Sequence, residues 1–233
     1  MIPFGPDNDL LRAACAVQDR LRRRYTCGVR GSERKVVVLG GADATYAGDT
    51  GMGVIALLTF PGLEPIGHAV TVRKVLFPYV PGLFGFREAP LYLAACEKLG
   101  VLPDLLFANG HGYAHPQRFG LACHAGALLG IPTIGIASRL LCGSSALPGP
   151  EQGALAPVID NDEIIGMSVR TKAGANPLIV SAGYLTDLPC AVEMTLACLA
   201  GDRLPRPLHT AHLLSQRYRD LLVKNSCHHR SHL

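Results

Sequence analysis

The chain has no tryptophan, few other aromatic residues and only 17% charged residues, and no apolar run in it is long enough to cross a bilayer. With 48% hydrophobic residues, that composition excludes a disordered chain and describes a globule with a substantial core. The N-terminal stretch MIPFGPDNDLLRAAC lacks a basic segment followed by an apolar one, so no signal peptide is read. The eight cysteines contain no C-x-x-C pair and no regular framework, which points to buried thiols in a reducing cytoplasm. A net charge of +4 permits contact with nucleic acid without arguing for it. There is no internal repeat and no linker, and one domain over residues 1–233 is expected.

What is present is organised around Phe107 to Ala137. Leu105 to Ala108 reads as a buried strand, Asn109-Gly110-His111-Gly112 as a break, Gly120 to Gly130 as a small-residue helix, and Pro132 to Ala137 as a second strand. Such a βαβ unit places functional groups at the carboxyl ends of parallel strands, here Asn109 and the loop from His111 to Arg118. Before it, Val36 to Asp43 is an unbroken apolar run ending in a carboxylate, and Ala44-Thr45-Tyr46 continues it. Met52 to Phe60 and Ile66 to Val75 follow as two further antiparallel strands around the Pro61-Gly62 turn. A charge at the end of a buried strand is costly unless solvated or paired, so a functional role for Asp43 is preferred to an ordinary turn. Phe77 to Glu88, with Tyr79 between two prolines, reads as a stiff aromatic wedge. Glu88 is expected to open a helix to Leu99, where the helix dipole alone would favour a carboxylate.

The remaining expectations concern the flanks. Leu10 to Leu21 has helical spacing, with Asp7 or Asn8 as cap and Arg22-Arg23-Arg24 as a solvated last turn. Residues 142–162 are rich in Gly, Pro, Ser and Ala and read as a surface loop. Glu163 to Arg170 and Leu178 to Ser181 form a final hairpin. Asp187 to Leu199 and Pro207 to Val223 form closing helices, followed by a frayed tail.

Taken in order, GADATY, FPYVPGLFGFRE, NGHGYAHPQRFGLACHAG, PTIGIA, LIVSAGY and RLPRPLHTAH resemble endonuclease V, which cuts beside deoxyinosine in DNA or inosine in RNA. They cover roughly residues 34–220. The resemblance implies an α/β, RNase H-like fold: a mixed five-stranded core sheet flanked by helices. It also implies a Mg²⁺ site of three acidic residues. Asp43 and Glu88 match the first two, and Asn109 stands where the third aspartate is expected. A lysine after the PTIG strand is replaced by Ser138, and the histidine of a late Gly-His pair by Tyr184. In the closing pattern Pro205 to His212, a glutamate, an arginine and an aspartate are replaced.

These departures all weaken a site for a hard dication and for phosphate. The first reading is therefore an endonuclease V fold turned to small-molecule biosynthesis, with no cofactor. Asp43 and Glu88 act as acid/base carboxylates, and Tyr79, Asn109, His111, His115, Arg118, Ser138 and Tyr184 contact substrate. His111, His115 and Arg118 are the groups placed to meet an anion. The pattern is similar to a natural-product branch that closes an aziridine by amine displacement of sulfate beside a sulfotransferase-like partner in a heterodimer. The alternative is a Mg²⁺-dependent inosine endonuclease acting on nucleic acid, with Asp43, Glu88 and Asn109 as metal ligands. The third is a catalytically dead binding module. No membrane partner is expected under any of them.

Overall fold

The computed structural model describes residues 9–25 and 35–230, with side chains as far as Leu222. The proposed caps Asp7 and Asn8, Cys27, and the side chains of the tail lie outside the described residues. Helix α1 (Asp9–Arg24) ends as expected, with Arg22 and Arg23 both paired to Asp19 at 2.8 Å. Strands β1 (Val38–Ala47), β2 (Thr50–Thr59) and β3 (Pro65–Lys74) form an antiparallel meander. Helix α2 (Phe84–Cys96), β4 (Leu105–Asn109), α3 (Leu121–Leu129) and β5 (Thr133–Ala137) follow, with β4 parallel to both β1 and β5.

The five strands expected from sequence stand side by side in the order β3-β2-β1-β4-β5, but the sheet does not stop there. Strands β6 (Ser144–Ser145), β7 (Leu155–Asp160), β8 (Glu163–Val169) and β9 (Leu178–Ala182) extend it to nine, in the order β3-β2-β1-β4-β5-β9-β8-β7-β6. β9 pairs antiparallel with β5, so β5 is buried at every residue. The expected surface loop 142–162 is corrected accordingly. Its alternating Ala156 and Val158 face inward while Leu155 and Pro157 face out, and Pro157 sits on a strand whose outer neighbour is only two residues long.

Two further expectations change. Helix α2 starts four residues before Glu88, because Gly82 at φ 84° turns the chain and Leu83, fully buried, anchors its first turn. Glu88 therefore lies inside the helix, and the helix-terminus explanation for its charge falls away. The last helix, α5 (Arg206–Arg230), runs on through the backbone of the supposed frayed tail. Helix α4 (Leu188–Ala197) is capped by Asp187, whose side chain accepts from the Cys190 amide at 2.9 Å. No helix among the described residues is long and apolar enough to cross a membrane.

Alternation along the strands sorts the core into two faces. Ala42 and Leu106 pack with Ala89, Tyr92 and Ala125 of α2 and α3, whereas Leu39, Phe107 and Ile134 pack with Ala191 of α4 and Leu208 of α5. Six described cysteines are free thiols, with Cys96, Cys123 and Cys198 buried. On the α4/α5 face, Gly41 lets α5 touch the sheet backbone: a Cβ there would lie 1.9 Å from the Pro207 carbonyl oxygen. On the other face, His124 is 4% exposed between the rings of Phe86 and Phe119, and its Nδ1 has no hydrogen-bond partner among the described residues. Burial pushes its pKa down to about 4, so it is neutral in the folded protein.

Two outcomes follow from this packing. Gly41→Ala forces α5 off β1 and is expected to lower the unfolding free energy by about 1–3 kcal/mol in urea titrations. For His124, the folded pKa lies below the ordinary value, so the unfolded chain takes the proton first. Its contribution is complete above pH 6.5 and is lost as the pH falls toward 4, about 3 kcal/mol in all. Urea titrations at pH 7 and 4.5 are expected to show that loss in the wild type and a shallower one in His124→Leu.

Candidate active site

The parallel register of β1 and β4 sets Ala42 against Ala108, so the next residues, Asp43 and Asn109, come out side by side at the strand ends. The Asn109 amide donates to Asp43 Oδ1 at 2.6 Å. On the α5 side, His212 and Ser215 are three residues apart and share one helix face. His212 Nδ1 lies 3.0 Å and Ser215 Oγ 2.5 Å from Asp43 Oδ2. Asp43 is 2% exposed. Burial alone would raise its pKa, but the hydrogen bonds from His212, Ser215 and Asn109 together outweigh it and hold the carboxyl below its usual range. The same contact raises the pKa of His212, partly offset by burial.

Glu88 reaches the same end of the sheet from α2. Its Oε1 accepts from Tyr46 at 3.1 Å and its Oε2 from Tyr92 at 3.2 Å. Here burial wins. It pushes Glu88 up to about 8 against the lowering effect of the two hydroxyls, and the charge of Asp43 adds to the rise. Without a bound cation, the site therefore holds one ionised and one protonated carboxyl at neutral pH, the split expected of acid/base partners.

A cavity of about 450 Å³ opens next to Asn109, the partner of Asp43, and neither carboxyl lines it. Tyr79, Pro81, Gly82 and Phe84 of the wedge form one wall, Asn109 to His111 another, and Ala137 to Leu141 a third. Tyr79 is 67% exposed and meets the Phe84 ring edge-on at 4.8 Å. The base of the wedge is clamped at the Gly82 carbonyl, which accepts from buried Gln18 of α1 at 2.9 Å and from His115 Nε2 at 3.1 Å.

Of the residues singled out in the sequence, Asp43, Glu88 and Asn109 are gathered at the strand ends, and Tyr79, Asn109, His111, His115 and Ser138 line the cavity. Two of these histidines do not suit the cationic anion-binding role expected of them. His115 uses Nε2 on Gly82 and Nδ1 on the Gln117 amide, and burial lowers its pKa to about 4. His111 is also held below its usual range by burial, and its Nε2 donates to the Arg139 carbonyl at 2.8 Å. Arg118 and Tyr184 do not line the cavity. Arg118 is paired with Asp160 at 2.9 Å and Glu163 at 2.8 Å, and Tyr184 packs edge-on against Tyr25. Sequence reasoning missed Tyr46, Tyr92, His212 and Ser215. The available signal was the His-x-x-Ser spacing on a helix, at a position read there only as a lost aspartate.

Among the described residues, no group of three His, Cys, Asp or Glu side chains is gathered for a metal. The donor set is two carboxyls plus an amide oxygen. It suits one divalent cation, since ionising buried Glu88 beside the Asp43 charge is costly without a positive charge between them, but it is one negative charge short of a three-carboxylate site.

Residues 20–213 match the family described as Endonuclease V. An endonuclease V from Roseiflexus castenholzii is 40% identical over 210 residues, covering 90% of this chain and 93% of its own. The crystal structure of the endonuclease V from Streptomyces avermitilis superposes with a TM-score of 0.85 at 37% identity, covering 95% of this chain and 98% of that one. The Bacillus subtilis structure gives 0.88 at 30% identity, covering 95% and 97%. On that match over most of its length, the chain belongs to the endonuclease V family.

Proposed function

We propose that the chain is a divalent-cation-dependent endonuclease that cuts nucleic acid beside deoxyinosine or inosine, working from a cation site weakened by Asn109. The observation that carries this reading is Asn109, which bonds Asp43 of the buried carboxyl pair and also lines a 450 Å³ cavity walled by Tyr79, Phe84 and His111. A cavity of that size with flat rings on two sides suits a purine base drawn out of its stack. Family membership supports the nuclease over the ring-forming enzyme.

Asp43, Glu88 and the Asn109 amide oxygen would hold the cation. A bound Mg²⁺ or Mn²⁺ neutralises phosphate charge and lowers the pKa of a water molecule. The chain's own groups do the rest. The wedge excludes water from the base cavity and fixes the strand beside the carboxyls. Asp43 orients His212 through Nδ1, leaving the half-exposed ring's Nε2 facing outward to accept or return a proton at the attacking water or leaving oxygen. Glu88 is kept close to its neutral form by burial, so ionising it draws on the cation's own binding energy.

One observation favours a second reading. The Asn109 amide already occupies Asp43 Oδ1, and the two carboxyls divide into acid and base without any cation. Such a pair can serve a small-molecule proton-transfer enzyme.

Cleavage of an oligonucleotide with a single deoxyinosine, in Mn²⁺ or Mg²⁺, separates the two. Slow cleavage by the wild type is expected, about tenfold faster cleavage by Asn109→Asp, equivalent to about 1.4 kcal/mol in the barrier, and none by Asp43→Asn. Absence of cleavage by both wild type and Asn109→Asp would leave the small-molecule reading in its place.

A further inference from the structure

The cavity wall after β5 carries one arginine that the proposed chemistry leaves unused, Arg139, and a second, Arg203, reaches that wall from behind through Ser138. Arg139 lines the cavity and is exposed, and among the described residues its guanidinium has no hydrogen bond or ion pair. Its backbone is pinned instead, through the carbonyl that accepts from His111 at 2.8 Å. Arg203 arrives from the connection between α4 and α5. Its Nε donates to the Asn176 carbonyl at 2.8 Å, its Nη2 to the Pro177 carbonyl at 3.2 Å, and its Nη1 lies 3.4 Å from Ser138 Oγ in the cavity wall.

Every one of these partners is neutral. The neighbouring acid, Asp202, is engaged elsewhere, with His209 at 2.8 Å and Arg206 at 3.6 Å. Arg203 thus bonds Ser138, the residue before Arg139, and among the described residues neither arginine has an ion-pair partner. One is held in place by carbonyls, and the other is free to close. A planar guanidinium that is already oriented loses little entropy on gripping a tetrahedral oxyanion. Apolar and aromatic side chains, Tyr79, Phe84, Leu121 and Leu140, make up much of the rest of the wall, with Asn109 and two neutral histidines between them. A ligand that satisfies both parts has a flat ring and an anionic group a short distance away.

We propose that Arg139 and Arg203 form a phosphate subsite at the mouth of the cavity, clamping one backbone phosphate of the strand whose base enters it. This rests on the nucleic-acid reading above. It also means that the cation missing at Ser138, where the family resemblance expects lysine, is supplied by the next residue and by the α4–α5 connection.

The test is binding of a fluorescein-labelled single-stranded DNA with one deoxyinosine, followed by anisotropy in EDTA across a KCl series. Arg139→Ala/Arg203→Ala is expected to weaken binding at least tenfold at low salt. It should also reduce the slope of log K against log salt by about 0.7, the value of one phosphate contact on a single strand. Adding Ser138→Lys to the double variant should restore the slope, and Arg23→Ala on α1 should change neither quantity. Unchanged affinity, or weaker binding with an unchanged slope, would overturn the subsite while leaving the nuclease reading intact. No binding by the wild-type protein at any salt would likewise overturn the subsite, and the nuclease reading then stands or falls separately on the Mn²⁺ or Mg²⁺ cleavage assay.

Discussion

A carboxylate 2% exposed at the end of a strand is the constraint on which the active end of this molecule depends. Asp43 stays charged there only because Asn109, His212 and Ser215 point donors at it. Those donors come from two elements distant in sequence. The parallel β1/β4 register brings Asn109 alongside, and α5 brings the other two. The bare backbone at Gly41 is what admits α5 closely enough for its side chains to reach. One buried charge thereby ties strand register, helix approach and site geometry together.

Asn109 has two roles in this arrangement. It contributes one of the hydrogen bonds that keep Asp43 ionised, and it lines the cavity beneath the wedge, so it connects the carboxyls to the place where a substrate would lie. An aspartate there could not donate to Asp43. It would instead place a third negative charge in the site, tolerable only with a cation present. Asparagine in place of an aspartate there would trade cation affinity for a carboxyl pair that is settled without metal. Glu88, whose hydroxyl partners do not overcome its burial, lies on the protonated side of that balance.

Much of this was legible in the sequence, because it is written in local signals. An apolar run ending in Asp43 reads as a buried strand with a costly charge. Gly120 and Gly130 bracket α3, and Asp187 caps α4, as their residue types require. What was not legible depended on long-range packing. β7 was hidden by Pro157 and by small inward residues that give a weak alternation. The start of α2 depended on Leu83 finding the cluster of Leu11 and Ala14, which sequence spacing does not reveal. His212 looked like a loss from a pattern, and Ser215 was not singled out, until α5 lay against β1. Arg118 looked like an anion ligand until Asp160 and Glu163, more than forty residues away, were seen to hold it.

The central claim is that Asn109 sets the cation affinity of a site otherwise built for a dication. Calorimetric titration of Mn²⁺ into the wild type and Asn109→Asp tests it most directly. The account predicts weak binding by the wild type and at least tenfold tighter binding, at one site, by the variant. Equal affinities, or tight binding by the wild type abolished in the variant, would contradict it.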